Sequence, residues 1–304
     1  LLVKNPIDLT LTIHSHKDNY KITKKFLYRI FFMNYLTNKS YIDLKIWLSL
    51  VKKELPNKNK LNNMRYLGAK EINSGCTTFT GTLPNKVSLW RQEEVRKVLI
   101  HELIHSVELE EHNNLYDFEE FIYGHFDIRR ELNNLTFFEN YVELWGNIIN
   151  ILIVVYDRKN NISKLSNFLD LLERELYWVL FQVAKILVFF DYDKFEDFYF
   201  KDGIEEENKS KKYIQKSNIF SYIVVRSLMF FNLEKFISIC YKYNTEFIIK
   251  YKIPNSVIID LMLDTLNDKK YIRSINYLMN YIRKNEKQNK FPSAFKSMRM
   301  SHIE

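Results

Sequence analysis

Two histidines four residues apart, with a glutamate directly after the first, are the residues of this sequence best suited to chemistry. They are His101, Glu102 and His105, in the run VLIHELIHSVE. On an α-helix, residues four apart lie on one face, so both imidazoles can direct a nitrogen to one point at the roughly 2.1 Å of a zinc–nitrogen bond. Glu102 lies beside that point, where a carboxylate can take a proton from a metal-bound water. The pattern predicts a zinc site.

The surroundings of the motif favour a metal site over a chance match. The neighbouring residues are apolar and predict a largely buried helix that keeps the site dry. An imidazole without a partner is costly in such a helix. These apolar neighbours are Val98, Leu99, Leu103, Ile104 and Val107.

A third ligand has to come from elsewhere in the chain, because a catalytic zinc usually has three protein ligands and one position for water. Four downstream side chains are candidates: His112, His125, Glu139 and Glu143. In a metzincin the third histidine follows the second by six residues. That position is a glutamate here, which excludes this class.

The stretch FFENYVELWGN, residues 137–147, resembles the gluzincins, HExxH metallopeptidases whose third ligand is a glutamate on a second helix. In that group a small residue tends to follow the ligand by three positions, and an Asp or Asn by four, where it hydrogen-bonds a ligand histidine. Glu143 is followed in this way by Gly146 and Asn147, so the resemblance favours Glu143 as third ligand and Asn147 as its supporting residue. Glu139 remains the alternative ligand.

A longer succession of segments resembles the metallopeptidase-like proteins of large nucleocytoplasmic DNA viruses. It consists of INSGCTTFTG, VSLWRQEEVRKVLIHELIHSVE, YVELWGNIIN and NIFSYIVVRSLMFF, in that order, within about residues 41–231. The abundance of Asn, Lys, Ile, Tyr and Phe agrees with an AT-rich genome. The resemblance implies a viral protein located in the host cytoplasm or the virion. The chain does not begin with Met, so secretion also stays open.

Oxyanion donors and substrate-binding residues can also be predicted. Tyr222 and Arg226 share a helix face in SYIVVR, and their position after the zinc ligands resembles that of the tyrosine or cationic donors of gluzincins. Extended backbone at residues 74–79 or 87–90 could pair with a peptide as an added strand. Asn73 and Gly75 are the substrate-binding candidates there.

The periodicity predicts an α+β fold of the zincin-like type. Apolar and polar residues alternate at 7–16 and in the first part of 41–56, which is typical of strands, whereas long windows after residue 134 have helical spacing. We expect an N-terminal part, 1–110, with a small sheet, substrate-edge strands and the HExxH helix. A helical part, 111–284, carries the third zinc ligand, and a polar tail, 285–304, is loosely held.

Composition and charge limit the kinds of partner and cellular compartment that we expect. The formal net charge is +8, but the lysines alternate with acidic residues and form no basic stripe, so we expect no nucleic-acid partner. The longest apolar run, 177–190, is interrupted by Gln182 and Lys185, which predicts no membrane span. Two cysteines in 304 residues favour a reducing compartment.

The sequence therefore predicts a zinc-dependent peptidase, with one zinc ion per chain and a peptide or protein as substrate. The expected ligands are His101, His105 and Glu143, and Glu102 is the expected general base. Two alternatives remain open. One is a catalytically inactive zinc-binding structural or virion protein, and the other is a basic nucleic-acid-associated protein.

Overall fold

The fold is mixed α+β, with a small sheet near the N-terminus and a helical C-terminal part, as the sequence predicts. The computed structural model describes ten stretches of the chain: residues 8–15, 20–37, 41–57, 65–81, 85–109, 116–130, 135–159, 165–203, 212–288 and 292–303.

A four-stranded mixed sheet and a two-stranded parallel pair make up the β structure. In the larger sheet the strand order is β1-β2-β5-β4; β1, β2 and β5 are parallel, and β4 runs antiparallel to β5. The pair consists of β3 and β6. The strands are β1 (Asp8–His14), β2 (Tyr41–Trp47), β3 (Leu67–Gly68), β4 (Gly75–Thr78), β5 (Lys86–Leu89) and β6 (Gln215–Lys216).

Helices dominate the rest of the described chain. They are α1 (Tyr20–Thr37), α2 (Ala69–Ile72), α3 (Val95–Ser106), α4 (Tyr116–His125), α5 (Phe137–Lys159), α6 (Leu165–Phe189), α7 (Arg226–Phe231), α8 (Leu233–Tyr243), α9 (Asn255–Asn267), α10 (Lys269–Lys287) and α11 (Ser293–Lys296). A π-helix, Phe220–Val225, leads directly into α7. The HELIH residues lie in α3, and FFENYVELWGN begins α5.

The sheet buries one face through alternation. In β2, residues Ile42, Leu44 and Ile46 are buried while Lys45 between them is exposed. Because β5 lies between β2 and β4, its backbone is already paired on both sides. The prediction that residues 87–90 could pair with a peptide is therefore wrong, whereas β4, which in the described part of the sheet pairs only with β5, is an edge strand.

The helix α3, which carries the HELIH residues, is buried on nearly every side although half of its twelve residues are polar. It packs against α1, α5, β4 and β5. The contact with α5 is close: a Cβ built on Gly146 would lie 3.6 Å from Cβ of His101. A methyl group at this position would make only ordinary van der Waals contact, so the approach of the two helices does not depend on glycine here.

One connected cluster of buried apolar side chains includes residues from the sheet, α3, α5, α6 and the later helices. The predicted boundary at residue 110 therefore does not separate two cores. None of the described helices is both long and apolar enough to cross a membrane.

The prediction of a loosely held tail at 285–304 is wrong for residues 292–303. Met298, Met300, Ser301 and Ile303 are almost completely buried. Core side chains hold the backbone of this segment: Gln182 Nε2, for example, donates to the Arg299 carbonyl oxygen at 2.8 Å. Local polarity predicted a loose tail, but the polar groups are satisfied by long-range hydrogen bonds that a sequence window does not contain.

Candidate metal centre

The two histidines of HELIH lie on one face of α3 and direct the same ring nitrogen into one small space. Their Nε2 atoms are 3.2 Å apart. The exposed side-chain fraction is 7% for His101 and 13% for His105, so the pair sits just below the surface. This is the arrangement that the four-residue spacing on a helix requires.

Glu139, in the first turn of α5, completes a group of three possible metal ligands. Its Oε2 atom lies 3.4 Å from Nε2 of His101 and 3.4 Å from Nε2 of His105. The three atoms form a nearly equilateral triangle, so a point slightly outside its plane is about 2.0–2.1 Å from each of them. That is a normal bond length for nitrogen and oxygen ligands of a transition-metal ion.

Glu143, the ligand that the sequence favoured, lies on the other side of His101. Its Oε2 atom is 2.9 Å from Nδ1 of His101, while its Oε1 atom pairs with Lys97 and Arg226. Glu139 and Glu143 share one face of α5, so the sequence pattern allows either to reach the histidines. The relative position of α3 and α5 along their axes decides in favour of Glu139, and the preference for Glu143 is corrected.

A hydrogen bond from a metal-binding histidine to a carboxylate fixes the ring orientation and the tautomer. Glu143 Oε2, 2.9 Å from His101 Nδ1, lies where such an acceptor would be, a role that the resemblance to the gluzincins assigned to Asn147. Burial opposes ionisation of Glu143, but Lys97 and the other neighbouring cations outweigh it and hold the pKa of this carboxyl well below its usual range. An ionised Glu143 keeps the proton of His101 on Nδ1 and leaves Nε2 for a metal.

Asn147 itself contacts a different carboxyl group. Its Nδ2 atom donates to Glu175 Oε1 at 2.6 Å, one helical turn beyond Glu143. The prediction that Asn147 supports a ligand histidine is thus wrong. Burial raises the pKa of Glu175 to about 7.

Arg226 is fully buried and lies behind the site. Its NH1 atom donates to Glu143 Oε1 and to the Met300 carbonyl oxygen, both at 2.8 Å. The predicted role of Arg226 as an oxyanion donor is therefore corrected: the side chain holds Glu143 and the C-terminal segment. Lys97, which also pairs with Glu143 and is 1% exposed, was missed because a lysine in a helix is normally assigned to the surface.

Glu102 lies at the base of the edge strand β4. Thr77 Oγ1 donates to Glu102 Oε2 at 2.8 Å, which fixes the carboxylate. A Cβ built on Gly75 would lie only 2.7 Å from Glu102 Oε1, so the absence of a side chain at Gly75 makes room for Glu102. Burial raises the pKa of Glu102, although the two imidazoles oppose the shift. A raised pKa makes the carboxylate a stronger proton acceptor.

Tyr222 faces the ligand group from the π-helix. Its ring centroid is 6.0 Å from that of His101. Burial, followed by the negative charges of Glu139 and Glu102, raises the pKa of Tyr222 well above its usual value. The hydroxyl therefore stays protonated and can act as a hydrogen-bond donor. The π-helix, a form often found at functional sites, was not visible in the apolar spacing.

The two predicted substrate-binding residues lie at or before the start of β4. Gly75 is its first residue, and Asn73 lines the same small cavity as Glu102. Asn73 Oδ1 accepts a hydrogen bond from Ser217 Oγ at 3.1 Å. Both positions therefore lie beside the candidate general base.

The remaining ligand candidates take no part in this group. His112 lies outside the described residues. His125, the last residue of α4, has its Nδ1 atom 3.0 Å from the Phe121 carbonyl oxygen, and its ring stacks with Tyr199.

Comparison with known proteins assigns no function to this site. No family model, curated protein or solved structure matches the chain. The function is therefore inferred from the residues of the site.

Proposed function

We propose that this protein is a zinc-dependent peptidase and that His101, His105 and Glu139 bind the zinc ion. The observation that carries the proposal is the triangle of two imidazole nitrogens and one carboxylate oxygen, with edges of 3.2, 3.4 and 3.4 Å. Two histidines and a glutamate are a ligand set of catalytic zinc sites, which keep a fourth position for water. When bound, zinc would supply a water of near-neutral pKa and polarise the substrate carbonyl.

The residues around the ligands have the properties that peptide hydrolysis requires. Glu102, buried and held by Thr77, is suited to accept the proton of the attacking water and to pass it to the leaving amine. Tyr222, held in its protonated form, is suited to donate to the oxygen that becomes negative. The edge strand β4 offers backbone groups to an extended peptide.

Metal content tests the first half of the proposal. Protein purified without chelator should contain about one zinc per chain by mass spectrometry, and His105→Ala should remove it because only two ligands remain. Zinc far below one equivalent in the unsubstituted protein would refute the proposed centre.

Substitution of the general base tests the second half. Glu102→Gln should keep its zinc and lose cleavage of a peptide library, because an amide cannot accept the proton. Cleavage that persists in Glu102→Gln would contradict the assigned base. A protein that binds one zinc but cleaves no peptide would instead be the inactive zinc-binding protein that the sequence left as an alternative.

A further inference from the structure

A small cavity opens beside the metal centre, between the start of β4 and the first turns of α3. Glu102 and His101 form part of its wall, and its volume is about 30 Å³. A cavity of this size holds roughly two water molecules, or the end of a short side chain. Ile72 and Val98, both buried, bound it with apolar groups, so an aromatic ring or a branched aliphatic chain does not fit.

The polar lining includes two carboxylates, but both are already engaged: Thr77 donates to Glu102, and Lys97 and Arg226 pair with Glu143. The polar groups left for a ligand are therefore mainly hydrogen-bond donors. Ser74 lines it and is only 3% exposed, and among the described residues no hydrogen-bond partner lies within reach of its Oγ atom. Buried hydroxyl groups without a partner are rare and costly, which indicates that Ser74 is satisfied by something that enters the cavity.

Two buried lysines also line the cavity. Lys53 pairs with Glu94 at 2.9 Å, and Lys97 pairs with Glu143. Each ammonium group has three hydrogens, and one carboxylate partner does not use them all. The cavity therefore combines a hydroxyl that lacks a partner with two cationic donors, a lining that suits a group that accepts hydrogen bonds.

We propose that this cavity is the specificity pocket of the site and receives the side chain of a residue next to the scissile bond. The pocket selects a short side chain that ends in a hydrogen-bond acceptor, as in serine or aspartate. The inference rests on the proposed peptidase function, because the position of the cavity beside Glu102 is what makes it a substrate pocket. Size excludes leucine and phenylalanine, and Ser74 favours an acceptor over alanine.

Binding of small hydroxamic acids to the zinc-loaded protein tests the pocket without a known substrate. The compounds have the form X–CO–NHOH, in which X is methyl, hydroxymethyl, carboxymethyl, isobutyl or benzyl, and their affinities are measured by calorimetry. The methyl compound reports the metal centre alone. We expect the hydroxymethyl and carboxymethyl compounds to bind about 3- to 10-fold more tightly than methyl, the gain of one hydrogen bond. Tightest binding by isobutyl or benzyl would overturn the proposal.

Ser74→Ala should remove the advantage of hydroxymethyl over methyl while zinc content and the affinity for methyl stay unchanged. Ser221→Ala is the matched control, because Ser221 is also buried and its hydroxyl also lacks a partner among the described residues, but it does not line the cavity. Equal effects of the two substitutions would overturn the role of Ser74. If none of the five compounds binds, the metal centre itself is wrong, and the pocket falls with the proposed function.

Discussion

Glu139 and Glu143 are one helical turn apart, yet their replacement by glutamine should damage different properties of the protein. Glu139→Gln removes a proposed zinc ligand. Structural zinc sites with four ligands bind with 10–16 kcal/mol, so one ligand contributes roughly 2.5–4 kcal/mol, a loss of about 10²- to 10³-fold in affinity. Glu143→Gln disturbs only the orientation of His101, and such substitutions cost about 10- to 100-fold.

The stability of the metal-free protein should show the opposite order. Lys97 and Arg226 are 1% and 0% exposed, and both pair with Glu143. Glutamine at this position leaves two buried cations without their carboxylate, which costs roughly 3–5 kcal/mol of unfolding free energy. Glu139, with 20% of its side chain exposed, lies at the open side of the site. Its partners are two imidazoles rather than permanent cations, so its neutralisation should cost less than that of Glu143.

Zinc affinity is measured by competition with a fluorescent chelator, and unfolding free energy by urea titration in the presence of EDTA. We expect a crossing pattern between the two variants. Glu139→Gln should bind zinc more weakly than Glu143→Gln, whereas Glu143→Gln should have the lower unfolding free energy. The reasoning is refuted if Glu143→Gln has the larger effect on zinc and leaves the metal-free protein as stable as before. That outcome would make Glu143 the ligand.

Three further predictions concern single positions. Gly75→Ala should keep zinc but lose activity, because its Cβ would lie 2.7 Å from Glu102 Oε1, whereas Gly146→Ala, with its nearest contact at 3.6 Å, should be tolerated in both assays. Tyr222→Phe should keep zinc and lower kcat about 10²- to 10³-fold if its hydroxyl stabilises the transition state; an unchanged kcat refutes that role. Burial lowers the pKa of Lys185 to about 7. The unfolded chain therefore binds this proton more tightly between pH 7 and 10, so the unfolding free energy should rise with pH across this window. Lys185→Met should reduce that rise by roughly 3–4 kcal/mol, measured by urea titration at pH 7 and pH 10.

Local patterns in the sequence were sufficient for the elements that carry the site. The alternation in 41–56 predicts β2, and the spacing in VLIHELIHSVE predicts a helix with both histidines on one face. These inferences succeed because strand and helix periodicity depend on neighbouring residues alone. The i, i+4 relation of Tyr222 and Arg226 predicts a shared helix face, but their assignment as oxyanion donors came from the resemblance to the gluzincins and stays a prediction for Tyr222.

Which of Glu139 and Glu143 lies beside both histidines depends on the position of α5 along the axis of α3, and no local sequence pattern contains that information. A shift of one helical turn exchanges their roles. The same limit applies to Lys97. Its residue type predicts a position at the surface, but it is buried because Glu143 and the surrounding core enclose it. The sequence pattern thus predicts the two helices and the faces that carry the polar side chains, whereas tertiary packing determines which of these side chains pair.

The buried charges behind the metal centre explain why a peripheral segment can affect it. The Met300 carbonyl oxygen accepts from Arg226, Arg226 donates to Glu143 Oε1, and Glu143 Oε2 lies 2.9 Å from His101 Nδ1. The two cations keep Glu143 ionised, and an ionised acceptor retains the proton of His101 on Nδ1. Only then is Nε2 free for the metal. Arg226, predicted from the sequence as an oxyanion donor, instead pairs with Glu143 on the Nδ1 side of His101, opposite the nitrogen that faces the other possible metal ligands.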